Sequence, residues 1–198
     1  FSSLQAGAAR FSPCPGTSDL NGEVRLTRYT SGKRNSLGQA RQKMSEVHCT
    51  CSCGKAAVVV AGPFLGRVRC HCTICQAANQ APYADSTILL AKHVPLGRVE
   101  NVRFDTMKEP PALQRGFCRS CGCFVVAYGD YWRFLSLAFV PAARYPGAVP
   151  LPEPSMHVFY ASRIADVADA LPKYDEWPSD LAVLRAIMRT RLGRTDRA

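Results

Sequence analysis

Short runs of β-branched and aromatic residues recur through the middle of the chain, separated by Gly, Pro and Asp. Such runs are typical of strands rather than helices. They predict strands at AAVVVAG (56–62), STILLA (86–91), RVENVRF (98–104), CFVVAYG (123–129), YWRFLSLAFV (131–140) and HVFYASRI (157–164). The dipeptide Gly129-Asp130, between two of these runs, predicts a hairpin turn.

A helical pattern of apolar residues occurs near the end of the chain, where Ser179 or Asp180 can cap a helix. Its apolar positions are Leu181, Leu184, Met188 and Leu192. The sequence therefore predicts a mostly β, antiparallel domain with a short C-terminal helix.

The first 43 residues have no apolar periodicity and are rich in Ser, Gly and Arg, so we expect a disordered N-terminal extension. Met44 stands directly before the cysteine-rich region, which suggests that it is the natural start of the protein. The expected organisation is an extension at 1–43, a folded cysteine-rich domain at 44–180 and a basic helix or tail at 181–198.

The formal net charge of +10 comes from the two ends of the chain. Residues 1–43 have seven Lys or Arg and two acids, residues 185–198 have five and one, and residues 44–184 have thirteen and twelve. A nucleic-acid-binding domain needs a clustered basic face, so nucleic acid is not an expected partner. No apolar run approaches the roughly 20 residues that span a bilayer, so no membrane partner is expected.

Ten cysteines are present, and all except Cys14 lie in C-x-C or C-x-x-C spacings. A chain of 198 residues can fold without covalent staples, and cysteines this close together suit one ion better than bridges between separate strands. We therefore predict metal binding rather than disulfides, in a reducing, cytoplasmic compartment.

The cysteines form three clusters, CTCSCG (49–54), CHCTIC (70–75) and FCRSCGC (117–123). The pair Cys118-x-x-Cys121, followed by Gly122, has the form of a zinc knuckle. One C-x-C pair from the first cluster would complete a closed, structural site of four thiolates.

The middle cluster then supplies three thiolates, from Cys70, Cys72 and Cys75. Zinc with three protein ligands keeps a fourth position for water or substrate, which is typical of catalytic sites. Alternatively, His71 or another group closes the site as a second structural zinc. His71 lies between two ligands, so we expect it to hydrogen-bond nearby instead.

The motifs CSCG (51–54), CHCTICQ (70–76) and GFCRSCG (116–122), in this order, resemble those of the glutathione-dependent formaldehyde-activating enzyme family, whose domain is shared with centromere protein V. The resemblance spans roughly residues 47–178, including the segment HVFYASRIADVADALPKYDEWP. It implies an Mss4-like fold of small antiparallel sheets around zinc.

The resemblance also implies two zinc ions per chain, each held by cysteine thiolates. The implied structural zinc is held by Cys51, Cys53, Cys118 and Cys121, and the second by Cys70, Cys72 and Cys75. The second zinc would bind the thiol of glutathione, and the family's reaction joins glutathione to formaldehyde, which makes the expected activity that of a carbon–sulfur lyase.

Cys49 offers a second register for the first cluster; Cys51 and Cys53 are favoured because Gly54 anchors the match. Three thiolates leave a zinc site with a net negative charge, so a nearby cation or donor is expected. Arg69 and Gln76 flank the middle cluster and are candidates for substrate binding.

Tyr83, His93, Trp132 and His157 are expected to be core or surface residues. A tryptophan that the resemblance leads us to expect near 163–167 is replaced by RIADV. The alternative function is a non-catalytic, zinc-stabilised binding module of the centromere protein V type. The two functions differ in whether the fourth position on the second zinc is exchangeable.

Overall fold

The structure is a computed structural model that describes residues 46–108, 113–132 and 135–178. The predicted extension at 1–43 and the predicted helix beginning near Leu181 lie outside these residues. Within them, the chain is mostly β, as predicted, with one short α-helix. No helix in the described part of the chain has the length and apolar character needed to cross a bilayer.

Two sheets make up the fold. The smaller sheet has the strand order β1-β2-β5, and the larger has the order β10-β3-β4-β9-β8-β7-β6. The strands are β1 (Val47–Thr50), β2 (Ala57–Val60), β3 (Gly66–Cys70), β4 (Ala84–Leu90), β5 (Val99–Glu100), β6 (Val102–Thr106), β7 (Gln114–Cys118), β8 (Phe124–Trp132), β9 (Leu135–Pro141) and β10 (His157–Val158). Helix α1 (Thr73–Asn79) follows β3. All of the strand pairings are antiparallel except that of β10 with β3, which is parallel.

The larger sheet is buried on both faces. In β4, Leu89 belongs to the core that faces the small sheet, whereas its neighbour Ile88 belongs to a second core on the opposite face. In β9, Val140 and Phe139 divide in the same way. A strand segment buried on both sides has no polar face, which explains the consecutive apolar residues ILL in β4 and LAFV in β9.

The predicted turn at Gly129-Asp130 is wrong. Strand β8 continues through both residues, with Gly129 paired to Leu137 and Asp130 to Ser136. The strand extends as far as Trp132, which pairs with Leu135 after a register shift that follows Asp130. A Gly-Asp pair permits a turn but does not force one, and here cross-strand pairing with β9 keeps the backbone extended.

The predicted strand at 98–104 is divided between the two sheets. Asn101 has a φ of 53°, in the left-handed region, and this residue separates β5 in the small sheet from β6 in the large one. Asn tolerates this conformation better than most residues, so the break has a local cause.

The predicted strand at 157–164 is limited to β10. Phe159 has a φ of 55°, and a 3-10 turn follows at Tyr160–Ser162. The positive φ ends the extended backbone, although the apolar sequence continues.

The predictions missed β1, β3, β7 and α1, and all four of these elements contain a cysteine of the three sequence clusters. Strands β3 (GRVRC) and β7 (QRGFC) contain arginine and glycine among their apolar residues, so neither is an apolar run. Their extended backbones depend on pairing with β4, β6 and β8.

Candidate metal centres and the adjoining cavity

Four cysteine sulfurs converge from two chain segments that are far apart in sequence. The sulfurs of Cys51, Cys53, Cys118 and Cys121 all lie within 4.8 Å of one another. The Sγ atoms of Cys51 and Cys53 are 3.3 Å apart, and those of Cys53 and Cys118 are 3.8 Å apart. A zinc ion with four sulfur ligands at about 2.3 Å sets sulfur–sulfur distances of about 3.8 Å, so this group fits a tetrahedral thiolate site.

The two loops of this four-cysteine cluster turn back on themselves after their last cysteines. Gly54 and Gly122 follow Cys53 and Cys121 directly, with φ values of 73° and 71°. In addition, the backbone N–H of Ala56 donates to Cys51 Sγ at 3.3 Å. Such amide contacts stabilise thiolate charge and therefore favour a bound cation.

A half-buried arginine, Arg144, accompanies the four-cysteine cluster. Arg144 donates from Nε to the carbonyl of Phe124 at 3.0 Å and from Nη1 to Ser52 Oγ at 2.8 Å. Burial lowers the pKa of Arg144, and the nearby cysteine sulfurs oppose that effect. Four thiolates around a divalent ion carry an excess of negative charge, which this guanidinium offsets. Sequence analysis did not select Arg144, because it lies well away from every cysteine motif.

The structure separates Cys49 from the cluster. Cys49 lies in β1, opposite Val58, and only 1% of it is exposed. Burial raises its pKa to about 12. Its sulfur is not among the converging ligand atoms, and it packs in the core. Cys123 is buried to the same extent, but it is disulfide-bonded, so the prediction of metal binding rather than disulfides is wrong for this cysteine. The cluster therefore takes the register with Cys51 and Cys53.

A second group of three sulfurs forms where β3 leads into α1. Cys70 ends the strand, Cys72 caps the helix and Cys75 lies in its first turn, and their sulfurs lie within 4.8 Å of one another. The backbone N–H of Cys75 donates to Cys72 Sγ at 3.4 Å. Hydrogen bonds from the Cys70 and Cys75 thiols hold the pKa of Cys72 far below its usual range, at about 2. This group, called here the three-cysteine cluster, thus holds a thiolate and fits a soft metal ion.

His71, which separates two of these cysteines, is absent from the group of converging ligand atoms. It is 1% exposed, and its Nε2 lies 2.8 Å from His157 Nδ1. His157 Nε2 in turn lies 2.9 Å from Asp169 Oδ2. Since a carboxylate only accepts, the N–H at His157 Nε2 donates to Asp169. The prediction that His71 hydrogen-bonds nearby is confirmed.

Arg69 and Gln76 make contacts within the protein. Arg69 Nη1 donates to Asp169 Oδ2 at 2.7 Å, and its guanidinium lies 5.5 Å from the centre of the Tyr83 ring. Gln76 Nε2 donates to the carbonyls of His71 and Ser162 at 2.7 and 2.8 Å. Neither residue lines the cavity described next, and their binding of substrate stays a prediction.

The three-cysteine cluster opens into a cavity of about 340 Å³. Much of the wall is apolar, including Val68, Ile74, Leu113, Phe139, Phe159 and Trp177. The polar wall residues are Asn79, Ser86, Lys108 and Arg115. None of the residues of the four-cysteine cluster lines this cavity, so the two clusters have different surroundings although their ligand chemistry is the same.

Arg115 is the residue of the site that sequence analysis missed. It lies in β7 and lines the cavity, with only 6% of its surface exposed. The surrounding sequence, LQRGFC, contains no metal-ligand pattern around the arginine itself. Its one hydrogen bond among the described residues is a long one, 3.4 Å from Nη1 to the carbonyl of Leu113. The positive charge of Arg115 contributes to lowering the pKa of Cys72 and opposes the rise in the pKa of Cys75.

Comparison with known proteins gives a family. The model of the glutathione-dependent formaldehyde-activating enzyme family matches residues 46–162, more than half of the chain. A crystal structure of a Rhodobacter sphaeroides protein, a structural-genomics target, is 21% identical with a TM-score of 0.40, and the match covers 53% of this chain and 97% of that one. A search of curated proteins found no match.

The chain therefore belongs to the glutathione-dependent formaldehyde-activating enzyme family. The two cysteine clusters give this family member two places that could hold metal ions.

Proposed function

We propose that this protein is a zinc-dependent carbon–sulfur lyase that joins a thiol, glutathione or a similar one, to formaldehyde or a related small carbonyl compound. The observation that supports this function is the difference between the two clusters. The four-cysteine cluster is complete and lies away from the cavity, whereas the three-cysteine cluster supplies one ligand fewer and opens into it. Open coordination beside a cavity is typical of a catalytic zinc.

The proposed reactive zinc is held by Cys70, Cys72 and Cys75, and the proposed structural zinc by the four-cysteine cluster. When bound at the three-cysteine cluster, zinc would supply an open position at which a substrate thiol loses its proton. The soft sulfur donors of both clusters suit this metal.

The chemical balance of the reaction is simple. The thiol sulfur forms a bond to the carbonyl carbon, the C=O π bond breaks, and its electron pair goes to oxygen, which takes the proton that the thiol has lost. No oxidant or reductant is needed. The chain's part is to hold the two reactants close together and to exclude water with the apolar wall.

The proposal also includes a reducing, cytoplasmic location, because the thiolate ligands must stay reduced to bind metal. A small-molecule thiol is the proposed partner, and nucleic acid is not expected.

The test is the rate of exchange between a thiol with ¹³C-formaldehyde and their adduct, measured by magnetisation-transfer NMR. The protein is the zinc-loaded full chain, and the thiols are glutathione and an apolar alkanethiol acid. Because the adduct forms without a catalyst, the comparison includes a blank without protein. We expect faster exchange with at least one thiol.

Two variants make the result specific. Cys75→Ser removes a ligand of the three-cysteine cluster and should abolish the acceleration, while Cys49→Ala removes a buried thiol outside both clusters and should keep it. No acceleration with either thiol, in protein that still holds its zinc, would contradict the proposed reaction and favour the binding module instead.

A further inference from the structure

The cavity beside the three-cysteine cluster has few polar side chains that could form hydrogen bonds with a peptide backbone. Its apolar wall includes aliphatic side chains and the rings of Phe159 and Trp177, whose centroids are 6.4 Å apart. Among the described residues that line it, none is acidic. The cavity therefore favours a ligand with an apolar body and offers no partner for an ammonium group.

The two cationic side chains of the cavity differ in their exposure to solvent. Lys108 is exposed, at the rim, whereas Arg115 is more than nine-tenths buried in the wall. No acidic side chain of the described residues forms an ion pair with Arg115, and its hydrogen bond to the carbonyl of Leu113 uses one of five N–H donors. Burying a guanidinium with so few hydrogen-bond partners lowers the stability of the fold unless an anion lies beside it.

The three-cysteine cluster balances only part of the positive charge of Arg115. With a divalent ion, three thiolates carry one net negative charge, and this charge is shared among sulfurs that the ion holds in place. The planar fork of a guanidinium is best matched by two oxygens of one carboxylate. The cavity thus combines a soft-metal site, an apolar wall and a carboxylate-binding group.

We infer that the ligand of this cavity is a thiol with an apolar body and a single carboxylate, and that Arg115 binds the carboxylate. The inference rests on the proposed function, whose thiol it specifies. The bond-forming step is unchanged: the ligand's sulfur adds to the carbonyl carbon, and the thiol proton passes to oxygen.

Glutathione fits these surroundings less well. It carries one ammonium group, two carboxylates and two peptide groups, all of which must find partners or stay in water. The described wall offers Arg115, Asn79 and Ser86, with Lys108 at the rim, and no acid for the ammonium. Buried polar groups without partners weaken binding, so glutathione should be the poorer ligand.

The test measures affinity by isothermal titration calorimetry on the zinc-loaded full chain. The probes are mercaptopropionate, mercaptohexanoate and mercaptooctanoate, their matched mercaptoalcohols, and glutathione. At the best chain length we expect the acid to bind about ten- to hundredfold more tightly than the alcohol, because the alcohol lacks the charged partner for Arg115. We also expect it to bind more tightly than glutathione.

Variants identify the residue that makes the difference. Arg115→Met should remove the preference for the acid and leave the affinity for the alcohol unchanged, and Arg115→Lys should restore part of it. Arg67→Met is the matched control, since Arg67 pairs with Asp85 and does not line the cavity. If Arg115→Met does not fold, the comparison of acid with alcohol on the unchanged chain decides.

Equal affinity for acid and alcohol at all three lengths, or tighter binding of glutathione than of every acid, would overturn the inference. The same samples in the formaldehyde exchange assay separate it from the proposed reaction. Tight binding of the acids without faster exchange contradicts the reaction and supports the ligand class. Faster exchange with glutathione as the best thiol contradicts the ligand class and supports the reaction.

Discussion

The individual cysteines differ in their surroundings more than in their chemistry. Cys51 and Cys118 accept hydrogen bonds from backbone amides, in loops that hold the four sulfurs close together. Cys70 and Cys75 instead line an apolar cavity. Loss of a ligand should therefore have different consequences at the two clusters, because only one of them joins distant parts of the chain.

We expect Cys75→Ser to lower the zinc content from about two ions per chain to about one, with a small loss of thermal stability. Cys121→Ser removes the same kind of ligand from the four-cysteine cluster, which joins the segment after β1 to the segment after β7. It should destabilise the fold strongly, because structural zinc contributes directly to folding.

Metal content by plasma mass spectrometry and thermal unfolding followed by circular dichroism measure both effects. Equal losses of thermal stability in the two variants would contradict the assignment of different roles to the clusters.

Among the elements, β7 connects the two clusters. Arg115 and Phe117 belong to the cavity face of the large sheet, while Gly116 and Cys118 face the other core. Successive side chains of a strand point to opposite faces, so residues 115–118 reach the cavity face and the face of the four-cysteine cluster in turn. Displacing this strand should therefore disturb both clusters together.

Gly116→Ala tests how tightly β7 is packed. A Cβ at this position would lie 2.7 Å from Val102 Cγ1 and 3.0 Å from both Phe104 Cε1 and Val126 Cγ1. Overpacking of this kind costs roughly 1–3 kcal/mol of unfolding free energy. Gly66→Ala, in β3 of the same sheet, meets no atom within 4 Å and is the matched control.

Urea denaturation of the two variants measures the difference. If Gly116→Ala were as stable as Gly66→Ala, the packing of β7 against β6 and β8 would be looser than the structure has it.

In the whole molecule, Asp169 ties the segment after β10 back to the sheet. It accepts hydrogen bonds from Arg69 at 2.7 Å, His157 at 2.9 Å and Lys173 at 3.1 Å. The bond from His157, followed by those of Lys173 and the backbone of Leu171, holds the pKa of Asp169 at about 2, below its usual value. The ionised carboxylate therefore stabilises the folded state.

The pH dependence follows from the sign of this shift. A carboxyl group whose pKa is lower in the folded state contributes its stabilisation above the unfolded value of about 4, and loses it as the pH falls to about 2. Asp169→Asn should thus be less stable than the unchanged chain at pH 6, and the difference should shrink between about pH 4 and pH 2.

Denaturation at a series of pH values measures this difference. Acid releases metal from the variant and from the unchanged chain alike, so metal release cancels in the comparison. Asp175→Asn, at an exposed carboxylate, is the control and should show no such convergence. A difference for Asp169→Asn that stays constant down to pH 2 would contradict the role assigned to the carboxylate.

Local sequence was sufficient for the metal-ligand clusters and for the class of fold. Cysteines two or three residues apart are neighbours in any loop, so their spacing predicts shared ligation without knowledge of the fold. The strands β2, β4, β8 and β9 were predicted because their apolar residues are buried on both faces and form unbroken runs.

The position of the turn after β8, the division of 98–104 between two sheets and the cavity were decided by tertiary structure alone. Arg115 was not selected from the sequence because an arginine before a knuckle looks like any surface residue. Its role depends on the large sheet, which buries it near the sulfurs of the three-cysteine cluster, some 40 residues earlier in the chain. Spacing along the chain specifies which residues are neighbours locally, whereas the pairing of distant strands determines what those neighbours face.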